Sequence, residues 1–212
     1  MENNLKQKLI DIAKKEIEGN DPAHDFEHAK RVLHNVELIS EKEGGDQDIL
    51  VPAALFHDVV IYPKNHPKSD DAPKESADLT RKILEKEDEY PKEKIELVEH
   101  AIKECSFNKN EEPKDMETKI LRDADRLEAT GVVAIMRTFS SSGHMERPFY
   151  DLEDPFCENR KPNPRNFAVD LFYERLFVAK DRMYTDTAKN IAKERTKFLY
   201  TFIDELKREL DA

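Results

Sequence analysis

The sequence predicts an all-α fold: a single-domain helical bundle of about eight or nine helices, read from apolar residues recurring at three- and four-residue intervals. Two features of composition agree with it. Charged residues make up 38% of the 212-residue chain, and glycine occupies only five positions, so exposed helical faces are well supplied and chain-breaking residues are scarce.

The elements follow in order. A first helix is predicted over Leu5 to Ile17, ending before Gly19-Asn20-Asp21-Pro22, and a second from about Asp25 to Glu43, ending at Gly44-Gly45. Asp46 to Asp48 can cap a third helix through Ile49, Leu50, Ala53, Ala54, Leu55 and Phe56. It is apolar almost all round and should lie buried near the centre, ending at His57-Asp58. Val60 to Pro73, with three prolines, reads as a loop, and a loop that follows a buried His-Asp pair is well placed for function. Further helices are predicted over Lys74 to Lys86, Lys92 to Cys105, Met116 to Ala129 and Val132 to Ser140, with breaks at Pro91, Pro113 and Thr130-Gly131. Residues 140–164 lack helical period and form an irregular stretch of a length typical of a lid over a site. Helices resume over 165–210, where Ala188, Ile191, Ala192, Phe198, Leu199, Phe202, Ile203, Leu206 and Leu210 trace one apolar face, to pack on the core or on a second copy of the chain in a homodimer. One domain is expected over 1–212, with its chemistry in about 22–140.

With 35 Lys plus Arg against 46 Asp plus Glu, the net charge of -11 would repel duplex nucleic acid. It leaves room for a small anionic substrate, because a divalent cation can reverse the potential within one pocket. Cys105 and Cys157 lie far apart, which argues against a zinc cluster or a disulfide scaffold and for free thiols. Apolar runs such as Leu50 to Phe56 are too short to span a membrane, and the expected location is the cytoplasm.

The residues that can carry chemistry lie on inward faces. His28 shares a stripe with Val32, Val36 and Ile39, and His57 follows Leu50, Ala53 and Ala54 with Asp58 beside it. A single inward histidine is more often a hydrogen-bonded core residue than a ligand. A carboxylate at the end of a wholly apolar helix, however, needs a partner, since burying even a neutral polar group without one costs roughly 2–7 kcal/mol. Leu121-Arg122-Asp123-Ala124-Asp125-Arg126-Leu127 adds further acids to a core-like helix, and periodicity leaves open whether Asp123 or Asp125 points inward. Two imidazoles and two carboxylates would suit one divalent ion, with Mn2+ favoured and Fe2+, Ni2+, Co2+, Zn2+ or Mg2+ as alternatives. Such an ion lowers the pKa of a bound water from about 15.7 toward roughly 7 and neutralises charge on phosphoryl oxygens, so the chemistry implied is hydrolysis.

Three segments taken together resemble a known family. His24-Asp25-Phe26-Glu27-His28-Ala29-Lys30-Arg31-Val32, Ala53-Ala54-Leu55-Phe56-His57-Asp58, and Asp123-Ala124-Asp125-Arg126-Leu127-Glu128-Ala129-Thr130-Gly131 are similar, in order and spacing, to the motifs of the HD superfamily of metal-dependent phosphohydrolases. Met136-Arg137-Thr138-Phe139 and the stretch from Phe172-Tyr173-Glu174-Arg175-Leu176 through Met183-Tyr184-Thr185 resemble its small bacterial single-domain branch, which includes nucleoside triphosphate pyrophosphohydrolases. The resemblance implies an HD-type bundle, metal ligation by His28, His57, Asp58 and Asp125, and a catalytic role for His57 and Asp58. Its implied substrate is small and nucleotide-like, a nucleoside triphosphate cleaved to monophosphate and pyrophosphate. The same chemistry serves phosphomonoesters and phosphodiesters, and a non-catalytic nucleotide-sensing module is the alternative of another class. Around the metal, His24, Arg31, Lys64 and Arg126 are the candidate substrate contacts. Two departures matter. Ile61-Tyr62 stands where alarmone hydrolases of the superfamily carry an acidic pair, and Cys105 stands where the small bacterial branch usually has a histidine.

Overall fold

The computed structural model describes residues 1–18, 25–62, 66–105 and 112–210. These residues contain eight α-helices and no strand: α1 (Asn3–Glu16), α2 (Phe26–Glu43), α3 (Gln47–Phe56), α4 (Ala72–Glu85), α5 (Ile95–Glu104), α6 (Met116–Arg126), α7 (Gly131–His144) and α8 (Asp186–Leu210). The all-α fold is the one the periodicity predicts. The chain divides into two compact units, Met1–Asp125 and Arg126–Ala212.

In the first unit the helix ends have identifiable causes. Asp25 accepts a hydrogen bond from the backbone N–H of His28 at 2.8 Å and so caps α2. At its other end Gly44 and Gly45 take positive φ. The φ of +100° at Gly45 is one that residues with a Cβ rarely adopt, and a Cβ there would also come within 2.9 Å of Leu50 Cδ1, so the turn into α3 favours glycine. Asp46 caps α3, accepting from Asp48 N–H at 2.9 Å, and Lys94 bridges Asp46 and Asp48 at 2.8 and 2.6 Å.

From Ile49 to Phe56 every residue of α3 is buried, as its composition predicts. Pro52 lies inside it and has no N–H to give the carbonyl of Asp48. Tyr90 supplies the missing donor, its hydroxyl reaching Asp48 O at 2.7 Å. Burial, reinforced by Asp48 and Asp46, raises its phenol above the ordinary tyrosine value, so the donor stays protonated.

Several boundaries differ from the sequence expectation. Helix α4 begins at Ala72, with Pro73 inside its first turn, where a missing N–H costs nothing. Helix α6 is α-helical only to Arg126, and Leu127–Ala129 tighten into a 3-10 turn. Helix α7 runs on to His144, and within it the hydroxyls of Thr138 and Ser142 are satisfied by the carbonyls of Ala134 and Thr138.

The second unit packs α8 against α7 and the Phe172–Leu176 turn. Val169, Phe172, Leu176, Leu199 and Ile203 form its core, with Phe139 and Phe202 against them. Most of the apolar face of α8 turns inward, but Phe198 and Leu210 are exposed. Residues 145–164 have no regular structure, and a buried carboxylate orders them. Asp170 receives a two-pronged bond from Arg160 and a third from Asn163 N–H at 2.6 Å. Nearby, Arg147 donates to Pro164 O and to Ser142 Oγ. Cys157 sits at φ 54°, and burial together with a hydrogen bond to Asp170 pushes its thiol up to about 12. Cys105 and Cys157 are not joined in a disulfide.

Candidate metal centre

Three helices of the first unit deliver the candidate ligands. The Asp25 cap starts α2, and its first turn carries His28. His57 is the C-cap of α3, still in helical conformation, and Asp58 follows as the chain leaves the helix. Asp125 occupies the last turn of α6. Asn35, seven residues after His28 on the same buried stripe, donates to the carbonyl of Ala124 at 3.0 Å and ties α2 to α6 one residue before Asp125. A polar residue on a buried stripe demands such a partner. That signal was legible in the sequence, whereas the partner was not.

His28 Nε2 and His57 Nε2 face each other at 3.3 Å. Asp58 Oδ2 lies 3.7 Å from the first and 3.6 Å from the second. Asp125 Oδ1 lies 3.7 and 3.9 Å from the same two atoms. It is therefore Asp125, not Asp123, whose carboxylate stands beside the imidazoles. Asp123 is fully buried and outside this cluster. The imidazoles form a floor with side chains 1% and 3% exposed, and the carboxylates of Asp58 and Asp125 form a rim at 39% and 26%.

The protonation pattern follows from one contact. His57 Nδ1 is 2.9 Å from the carbonyl of Ala54. A carbonyl can only accept, so Nδ1 carries a proton, and Nε2 is the ring atom left to face a cation. Two imidazole nitrogens 3.3 Å apart, flanked by two carboxylates in a partly buried recess, need a positive charge between them. A divalent ion with nitrogen and oxygen ligands fits this donor set, and the open rim leaves positions for water and a substrate oxygen.

The candidate substrate contacts are distributed differently. His24 and Lys64 lie outside the described residues. Arg31 is half-buried on α2, one turn beyond His28. Arg126 is buried, its guanidinium donating to the carbonyl of Arg182 and lying 5.3 Å over the Tyr184 ring. His34, His66, Lys68 and His144 are exposed. Cys105 is buried, and His100, five residues earlier, faces Asp115 at 3.2 Å.

The HD domain family model matches residues 25–130, the stretch that contains all four candidate ligands. The YpgQ protein of Bacillus subtilis is 32% identical over 196 residues, covering 88% of this chain and 84% of that protein. A crystal structure of an HD-superfamily hydrolase from Bacillus thuringiensis is 30% identical, covers 99% of this chain and 98% of its own, and superposes with a TM-score of 0.73. Bacillus subtilis YpgQ in complex with ADP also superposes at 0.73, with 27% identity over 96% of this chain and 97% of that one.

The chain belongs to the HD domain family. It is a metal-dependent phosphohydrolase of the HD superfamily. Among the described residues, no helix is long and apolar enough to cross a membrane.

Proposed function

We propose that this chain hydrolyses a nucleoside triphosphate to the monophosphate and pyrophosphate, using one divalent ion, with Mn2+ favoured, held by His28, His57, Asp58 and Asp125. The observation that carries the reading is the convergence of His28, His57 and Asp125, whose ligand atoms all lie within 4.8 Å of one another, with Asp58 Oδ2 within 3.7 Å of both imidazole Nε2 atoms. When bound, the ion supplies Lewis-acid polarisation of a phosphoryl oxygen and of water.

The chain's own groups divide the remaining work. His57, its Nδ1 proton committed to Ala54, presents Nε2 in one fixed tautomer. His28 closes the floor from α2, and the buried pair keeps solvent from beneath the site. Asp58 and Asp125, at the rim, balance the cation's charge and border the side from which a polyphosphate would enter. Arg31 and Arg126, with His24 and Lys64, are proposed to meet the substrate's phosphates. ADP bound to Bacillus subtilis YpgQ supports a nucleotide as the ligand class. The proposal includes one functional domain over 1–212, a homodimer as the assembly, and a cytoplasmic location.

A panel of nucleoside mono-, di- and triphosphates with Mn2+, reading phosphate and pyrophosphate separately, tests the reaction. Monophosphate and pyrophosphate from a triphosphate is the expected result. Orthophosphate released from monophosphates would replace the reading with a phosphomonoesterase. Nucleotide binding without turnover would replace it with a sensing module.

A further inference from the structure

Asp58 is the most exposed of the four candidate ligands, and the polar atoms beside its carboxylate are the two imidazole nitrogens. Packing does not hold it, so its direction depends on the backbone that follows α3. That backbone has left the helix and has no repeating hydrogen-bond ladder, yet its polar groups must still be satisfied.

Two consecutive residues of α4 grip it. Ser76 is fully buried. Its single hydroxyl accepts from Val60 N–H at 3.1 Å and donates to Val60 C=O at 3.2 Å, taking both polar groups of one residue. Glu75 accepts from the Tyr62 hydroxyl at 2.6 Å. Positions 60 and 62 are therefore pinned in alternation, two and four residues beyond Asp58. Thr80 Oγ1 donates to Ser76 O at 2.7 Å, a bond within α4 that leaves the Ser76 hydroxyl and its loop contacts untouched.

We propose that Ser76 and Glu75 are positioning residues for the metal centre: by clamping Val60 and Tyr62 to α4 they hold Asp58 at the distance the two histidines require. The inference rests on the metal reading above. It also gives Tyr62 a role at the position where alarmone hydrolases carry an acid: here the tyrosine brings the loop to an acid on another helix. A clamp that served stability alone would leave metal affinity untouched, and this is the distinction to measure.

The probe is Mn2+ itself, titrated without substrate and followed by the electron paramagnetic resonance signal of the free ion, with the melting temperature of the chelator-treated protein recorded in parallel. Ser76→Ala and Tyr62→Phe should each weaken Mn2+ binding roughly 10-fold or more, the loss usual for groups that orient a ligand. Ser76→Thr, which keeps the hydroxyl, should recover most of that loss. Thr80→Val removes a comparable buried hydrogen bond on α4 without touching the loop, and should lower the melting temperature while leaving Mn2+ affinity unchanged. If Ser76→Ala does not fold, Tyr62→Phe carries the test. Affinity equal to wild type in either clamp variant overturns that arm, and an equal loss in Thr80→Val overturns the clamp as a whole. Wild-type protein that binds no Mn2+ overturns the metal reading instead, which separates the two failures.

Discussion

Asp170→Asn should cost the protein about 2–3 kcal/mol and loosen residues 145–164. The Asp170 side chain is 0% exposed and that of Arg160 24% exposed, joined by two parallel bonds. Removing one partner of a fully buried pair typically costs about 3–5 kcal/mol. Here Arg160 can turn toward solvent and asparagine still accepts from Asn163 N–H, so the loss falls below that range. At roughly 2–4 °C per kcal/mol for a chain of this size, the melting temperature should drop by about 4–12 °C.

The effect has a pH signature. Burial alone would raise the Asp170 carboxyl, but bonds from Arg160, Asn163 N–H and Cys157 outweigh it and hold the group below the usual carboxylate range. A depressed folded value means that the stabilisation is complete above the ordinary aspartate value of about 3.9 and is lost as pH falls from there through the folded value. Urea unfolding of wild type and variant from neutral pH down into that acid range, with limited proteolysis of 145–164 alongside, checks both parts. A variant as stable as wild type at neutral pH, or a gap that stays constant in acid, would refute the reasoning.

Two further predictions concern the candidate centre. His57→Ala and Asp58→Ala should each reduce hydrolysis by more than the roughly 10- to 100-fold typical of an outer partner, whereas Lys68→Ala, on an exposed side chain, should change turnover little; equal losses at all three would mean that the site is drawn wrongly. Asp125→Asn should weaken Mn2+ affinity by calorimetric titration far more than Asp123→Asn, because only the first carboxylate faces both imidazoles, and the reverse order would move the ligand to Asp123.

Much of this molecule was legible from the chain. The stripe of His28, Val32, Val36 and Ile39 and the wholly apolar run of α3 specify inward faces, since a helix with one apolar side can bury only that side. The cap at Asp25, the stop at Gly44-Gly45 and the end at His57 are local chemistry, governed by groups a few residues apart, so sequence spacing was enough to place them. The joint occurrence of three short motifs carried the family. Spacing did not show that Tyr90, thirty-eight residues along, satisfies the carbonyl that Pro52 leaves free, nor that α7 runs past Ser140 to His144.

What the tertiary structure alone decided is direction and distance. Asp123 and Asp125 are two residues apart on one helix, each within a turn of an apolar position, and helical period ranks them equally. Asn35, reaching from α2 to Ala124 O, ties α6 to α2 one residue before Asp125. The tautomer of His57 depends on Ala54 O, and the course of the loop after Asp58 depends on Ser76 and Glu75, thirteen or more residues further along the chain. Sequence spacing sets which face of a helix a residue occupies, because that depends on 3.6-residue geometry within one element. Whether two such faces meet to within 4 Å depends on how separate elements pack, and no single element carries that information.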